Sequence, residues 1–322
     1  MTYPQVLLAA VTIAAGLPHA ASAQKFPDAL VRIIVPFSAG GGTEILARLV
    51  AQGVSEIWGQ SVIVENRGGG GTIIGSELVA RAAPDGHTLL LTGNPHTSNP
   101  ALIPKLPYDT MKHFAPVTMV ATAPLLVVAH PSLPVRSVKD LFALAKARPG
   151  EITYTSSGNG GPGHLAGELL LQMAKISMLY VSYKGTGPAL IDVLGGHVQV
   201  GFLAQLAVLQ HVKAGKLRAL ALTSATRSEA NPEFPTIAES GLPGYEMLTW
   251  YGVFAPGATP RLLVARISQD IARVLSTPEV KDRLRRDGVR AAGNKPEEFA
   301  SFIEKEIEKS TRLIQEAKIK AQ

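Results

Sequence analysis

Residues Val31 to Arg48 read VRIIVPFSAGGGTEILAR, and this stretch decides the fold. Val31, Ile33, Ile34, Val35 and Phe37 form a short apolar run rich in β-branched side chains, without helical spacing, as in a buried parallel strand. Pro36 and then Gly40, Gly41 and Gly42 break the run, and the glycines allow a sharp turn with exposed N–H groups. Ile45, Leu46, Leu49 and Val50 then fall at helical spacing, with Thr43 placed to cap the helix. A strand, a glycine turn and a helix start can hold an anion with backbone alone, because unpaired N–H groups and the positive end of the helix dipole converge there. The same residues also fit a plain βα turn of an α/β fold, and the stretch by itself leaves both open.

The chain has 322 residues, 46% hydrophobic and 17% charged, with 31 glycines and 23 prolines, which describes a folded α/β protein with many turns and room for two lobes. With no cysteine it has no disulfide framework, thiolate metal site or cysteine nucleophile. Val6 to Leu17 is an apolar run of signal-peptide length, followed by Ala21-Ser22-Ala23 as a small-x-small cleavage pattern. Residues 1–23 are therefore expected to be a signal peptide, cleaved after Ala23, although no Lys or Arg precedes the apolar run. The formal net charge is +6, but the basic residues are scattered. The densest group, Lys281, Arg283, Arg285 and Arg286, sits beside Asp282 and Asp287 without interleaved aromatics, so it reads as a solvated helix face and nucleic acid is not expected as a partner.

Beyond the first turn, strand and helix alternate with short punctuation. Strands are expected at Val62 to Glu65, Thr88 to Leu91, Ile152 to Ser156, Tyr180 to Tyr183, Val198 to Phe202 and Leu217 to Thr223. Helices are expected from Thr72, over Val138 to Ala147, Leu165 to Met173 and Ala189 to Leu194, then Arg261 to Leu275, from Thr277-Pro278-Glu279, and through Phe299 to Ile314. Phe114 to His130 is a long apolar stretch that can carry the chain into a second lobe, and Thr249 to Ala255 can carry it back.

Ile152 to Leu165 reads ITYTSSGNGGPGHL, a second glycine turn in which Gly158, Gly160 and Gly163 match G-x-G-x-x-G. A nucleotide-dependent enzyme would use it as a dinucleotide fingerprint, but Pro162 stands where that helix should start and no acid ends the next strand. A second backbone anion cradle fits better, with Ser156 and Ser157 as hydroxyl donors and His164 as either a packing residue or a contact. A third turn, Tyr183-Lys184-Gly185-Thr186-Gly187-Pro188, places Lys184 at a strand's C-terminal end, either as a ligand's counter-charge or as a surface lysine. There is no phosphate loop, no G-x-S-x-G elbow, no H-x-x-x-H pair among the eight histidines, and no carboxylate pair for acid–base work. No catalytic residue, metal ligand or cofactor is assigned.

VRIIVPFSAGGGTEILAR, SVIVENRGGGGTIIG, PDGHTLL, NPALIPKLPYD, FAPVTMVAT, SYKGTGPALIDVLGG, HVKAGKLRALALTS and ESGLPGYE follow one another in the order found in the Bug receptors, the extracytoplasmic solute-binding proteins of tripartite tricarboxylate transporters. The resemblance covers nearly the whole mature chain. It implies an α/β, two-lobed periplasmic binding fold (type II-like), each lobe a mostly parallel sheet flanked by helices, with the ligand cleft between lobes. It implies one lobe of residues 24–123 plus 248–322 and another of residues 124–247. It further implies a monomer that captures a small carboxylate and docks on integral membrane transporter subunits; a sensing role with a signalling partner is the other use of such a receptor.

Carried onto this chain, the carboxylate would meet Phe37, Ser38, Ala39, Gly40, Gly41, Gly42 and Thr43, then Ser156, Ser157, Gly158, Gly161 and His164, with Asn94, His96, Tyr183 and Lys184 at neighbouring strand ends. Two positions depart from the family pattern. Glu44 stands where Asp is usual, and Leu203 where Asp often follows the strand-ending phenylalanine. The second departure implies a less polar pocket and an acid without an amine.

Overall fold

The opening strand–turn–helix forms as read: β1 (Val31–Val35) leads into α1 (Gly42–Trp58). This computed structural model describes residues 26–228, 231–316 and 319, so the expected signal peptide lies outside the described residues. The chain continues through β2 (Val62–Asn66), a 3₁₀ turn at Gly70–Thr72, α2 (Ile73–Ala80), β3 (Thr88–Gly93) and α3 (Pro95–Leu102). Then come β4 (Phe114–Ala129), α4 (Val138–Ala147), β5 (Thr153–Thr155), α5 (Pro162–Ala174), β6 (Leu179–Val181) and α6 (Thr186–Leu194). β7 (Val200–Ala204), α7 (Gln205–Lys213), β8 (Arg218–Leu222) and β9 (Leu248–Pro256) follow, and α8 (Arg261–Ser276), α9 (Pro278–Arg286), β10 (Arg290–Ala291) and α10 (Pro296–Glu316) close the chain.

All strands join one mixed sheet, in the order β2-β1-β3-β9-β4-β7-β5-β6, with β8 and β10 also paired to β4. Parallel pairing holds within the two outer trios, β2-β1-β3 and β7-β5-β6. The strands between them run antiparallel, because β9 returns against both β3 and β4. The stretch read as a connector is a single strand of 16 residues. Its first part, to Pro124, pairs with β9, and Leu125 to Ala129 pair with β7 and β8. β4 is therefore the beam shared by both halves. Pro116, which has no N–H to give a ladder, falls at a register shift between β4 and β9.

Apolar packing divides in the same way. Val31, Ile33, Leu89 and Val253 pack with α1 and α8, and Ile34, Trp250 and Phe254 pack with Phe299 and Ile303 of α10. Gly252 admits α10: a Cβ there would come within 2.2 Å of the Phe299 ring. In the other half, Val127, Tyr154 and Phe202 anchor one cluster and Leu126, Val128 and Leu203 another. Leu102 and Ile314 join the cluster of Val127, so the two halves share packing as well as a strand. Each such buried large side chain stabilises the fold by roughly 1.5–3 kcal/mol.

Two helices lie where the sequence reading placed none. α3, PHTSNPAL, combines poor helix formers with an internal Pro100, and burial of Pro95 through Asn99 holds it in place of propensity. α7 starts without a side-chain cap, so the sequence gives no start signal. One threonine cap is corrected, and two helices start at the threonines read for them but without a side-chain cap bond. Gly41 occupies the N-cap of α1, with Thr43 inside the first turn. Thr72 precedes α2 with φ 79° and makes no side-chain cap. The Thr277 hydroxyl donates back to the Val274 carbonyl at 2.9 Å, leaving α9 uncapped. Among the described residues no helix is long and apolar enough to cross a membrane.

Candidate ligand-binding site

Two adjoining cavities open where the strand ends of the two halves meet. The inner one, about 30 Å³, is lined by Gly41, Gly42 and Thr43 at the start of α1, Ser157 and Pro162 at α5, and Thr186 at α6, with Phe37, Phe202 and Tyr251 as apolar walls. Three helix N-termini, each an end rich in unpaired N–H groups, thus surround one small space. It is the narrow inner end of the site, with far less open space than the cavity beside it.

The outer cavity, about 330 Å³, shares Phe37, Pro95 and Ser157 with the inner one. Its other walls include Gly69 to Thr72, Asn99, Leu102, Gly158, Asn159, Gly161, Tyr183 and Lys184. That size suits a small organic molecule. Among the described residues Lys184 is the one formally charged side chain lining either cavity, and no Asp or Glu lines them. Helix N-termini with a lysine and no acid make an electropositive site, which favours anions.

The predicted residues separate into those that face this space and those with other partners. Phe37, Gly41, Gly42, Thr43, Ser157, Gly158, Gly161, Tyr183 and Lys184 line one or both cavities. Ser38, Ala39 and Gly40 line neither. The Ser38 N–H and hydroxyl both donate to the Lys184 carbonyl, each at 3.1 Å. The Gly40 N–H donates to Glu44 Oε2 at 2.6 Å, while Arg48 grips Glu44 Oε1 through Nε at 2.8 Å and Nη2 at 2.6 Å. Glu44, the longer acid of the first turn, therefore reaches back to pin its own loop.

Ser156 is fully buried, its hydroxyl bonded to the Gly158 carbonyl and to Tyr180 Oη at 2.9 Å. His164 accepts the Gly160 N–H at Nδ1 over 3.1 Å and stacks on Tyr180 with ring centroids 4.0 Å apart. Burial lowers its pKa to about 4, so the ring is neutral with its proton on Nε2. His164 is a packing residue. Asn94 edges the inner cavity, and its amide ties the site to β9: Nδ2 donates to the Leu248 carbonyl, and Oδ1 accepts from the Thr249 hydroxyl and the Trp250 N–H. His96 is placed away from the site because α3 begins at Pro95 and turns the ring into the core between Phe114 and Phe254, where burial lowers its pKa to about 3. Tyr183 lines the outer cavity while its hydroxyl donates to the Asp192 carboxylate.

Leu203 also requires correction. It is 1% exposed and packs with Leu126 and Val128, whereas its neighbours Phe202 and Ala204 face the inner cavity, as alternation along β7 demands. An acid missing at position 203 therefore says nothing about the lining. The dinucleotide pattern is accounted for as well: a Cβ on Gly163 would lie 2.4 Å from the Phe202 carbonyl, so this glycine lets α5 pack on β7.

The sequence reading missed the Gly69–Thr72 wall and Asn99. The glycine run was visible, but its orientation was not. Asn99 Nδ2 donates to the Gly71 carbonyl at 2.9 Å and to Thr72 Oγ1 at 3.2 Å, and α3, which the sequence hid, delivers that clamp. Among the described residues no group of three or more His, Cys, Asp or Glu side chains comes together to hold a metal.

Residues 46–319 match the model of the tripartite tricarboxylate transporter family receptor. This chain belongs to that family. It is 36% identical over 310 residues to protein BugT of Bordetella pertussis, covering 95% of each chain. An R. palustris structure with adipate superposes with TM-score 0.90 at 35% identity, over 92% of this chain and 100% of that one. MatC from Rhodopseudomonas palustris with bound malate gives TM-score 0.85 at 30% identity, over 90% and 100%. The protein is thus a periplasmic solute-binding receptor of the kind that serves a tripartite tricarboxylate-type transporter.

Proposed function

We propose that this receptor takes a small organic acid without an ammonium group. The observation that carries the reading is the lining: among the described residues Lys184 is its only charged side chain, and no acid lines it to pair with an ammonium. A carboxylate head would sit at the N-termini of α1, α5 and α6, and the body would extend into the outer cavity past Ser157, Gly158 and Gly161. Adipate and malate, held by the two structural relatives, both meet this requirement and are the first candidates.

The receptor works as two lobes, residues 24–123 with 248–322 and residues 124–247, closing on the acid, and the mature protein begins at Gln24. A thermal-shift series with adipate, malate, an aromatic acid, aspartate, glutamate, phosphate and NAD tests the ligand class. A ligand at a hundredfold its Kd stabilises by about 2.7 kcal/mol, a rise of several degrees. The expected outcome is a rise with one amine-free acid. Tight binding of aspartate or glutamate would overturn the reading.

A further inference from the structure

We propose that the Lys184–Gly187 turn is a latch that grips the backbone of the first glycine turn and holds the receptor shut. The inference rests on the closing, two-lobed reading above. Ser38 and Lys184 stand 146 residues apart in sequence, on opposite halves, yet two hydrogen bonds run from Ser38 to the Lys184 carbonyl. The fit depends on missing side chains. A Cβ on Gly187 would lie 2.0 Å from the Ala39 carbonyl oxygen, and one on Gly185 would lie 2.8 Å from the Ser38 nitrogen. From a third segment, a Cβ on Gly68 would lie 2.8 Å from that same nitrogen and 3.3 Å from the Lys184 carbonyl. Three turns therefore meet main chain to main chain, a contact that any methyl group would wedge open.

On the far side of the outer cavity, Ser98 Oγ donates to the Gly160 carbonyl at 2.6 Å, while Leu102 fills the space a Gly160 Cβ would need at 2.1 Å. The cavity lies between these two clasps. The groups in the latch are consumed by closure and are not available to the ligand, which explains why Ser38, Ala39 and Gly40 line neither cavity.

Gly187 permits a clean test. It is the second residue of α6 with no left-handed backbone, so alanine suits its helix and the obstacle lies across the interface. The chain contains no cysteine, so a Gly41→Cys/Thr186→Cys variant, which bridges the same two turns without adding a side chain to the latch glycines, has a single possible disulfide. The Thr186 Cβ lies 3.4 Å from the position a Cβ would take on Gly41, close to the short end of the separations disulfides span, and Gly41 has no left-handed backbone.

Under mild oxidation the two-cysteine protein should cross-link without ligand, and adding Gly187→Ala should slow cross-linking at least about tenfold with the melting temperature unchanged. Equal rates with and without Gly187→Ala, or no cross-link in either, would overturn the latch. Adipate and malate serve as probes of the ligand reading in a thermal-shift assay on the cysteine-free chain, with and without Gly187→Ala. A rise in melting temperature with either acid that Gly187→Ala diminishes supports a latch coupled to ligand. A latch that forms and is blocked by Gly187→Ala, yet answers to no acid, stands as a latch and sinks the carboxylate assignment instead.

Discussion

In the first glycine turn the Gly40 N–H donates to Glu44, and in the second the Gly160 N–H donates to His164. Both glycines have left-handed backbone, φ 88° and 66°, and both are pinned by the side chain four residues later. The pins differ in kind. Both side chains are buried, but Glu44 is held by Arg48, whose side chain is 63% exposed, whereas His164 is stacked on Tyr180. The first turn is an open loop tied by an ion pair, free to meet the opposite half. The second is embedded in the core of its own half. One recurring device thus gives a docking edge in one place and a rigid floor in the other.

The strongest way to break this contrast is to add one methyl to each turn. Gly163→Ala would press a Cβ to 2.4 Å from the Phe202 carbonyl, with no flexible side chain to yield. It should cost about 3 kcal/mol or more in urea unfolding. At Gly42 the nearest atoms, Ala204 Cβ and Tyr251 Oη at 3.0 Å, are side-chain atoms, and a methyl there enters the inner cavity. Gly42→Ala should cost under about 1 kcal/mol of stability yet weaken acid binding at least about tenfold. Equal stability losses would erase the distinction between floor and edge.

Acid sharpens the contrast next. His164 has a folded pKa near 4, below its unfolded value, so it binds a proton more readily in the unfolded chain. Its contribution is complete above pH ~6.5 and is lost as pH falls towards about 4, by up to a few kcal/mol. His96, lowered to about 3, adds a second loss of the same sign over the same descent. Protonated His164 can no longer accept the Gly160 N–H, so the floor of the site loosens with it. His164→Gln, an acceptor that does not titrate, should flatten part of the stability decline between pH 6.5 and 4. His96→Leu should flatten another part independently, since the two rings lie in different halves. Urea titrations at pH 7, 5.5 and 4 would show both, and a decline unchanged in the double variant would refute the assignment.

How much of this the sequence disclosed depends on the range of the interaction. Strand, glycine turn and helix start are local, so VRIIVPFSAGGGTEILAR and ITYTSSGNGGPGHL showed both turns and the helices after them. The family order of motifs carried the fold. What stayed hidden was which polar group remains free, because the choice is made by partners far along the chain. Ser38 is taken by Lys184, Asn94 by β9, and Ser156 by Tyr180. α3 escaped because burial, not propensity, makes PHTSNPAL helical, and with it went the true places of His96 and Asn99. Leu203 misled for a simpler reason: a shift of one residue on a strand turns a side chain from cavity to core.

The smallest expected effect concerns the charge that the first turn keeps beside a site for anions. Glu44→Gln retains an oxygen that can accept the Gly40 N–H, so the loop geometry should survive, and the loss of the pairing between buried Glu44 and exposed Arg48 should cost about 1 kcal/mol. What changes is the local field. One negative charge leaves, and the Arg48 guanidinium is no longer neutralised by its partner. A carboxylate ligand should then bind about two- to threefold more tightly at low ionic strength, with the gain fading as salt screens it. Calorimetric titration at two salt concentrations separates the possibilities. Weaker binding that ignores salt would mean that the carboxylate of Glu44 is needed for the shape of the turn, and the first turn would then be as rigidly specified as the second.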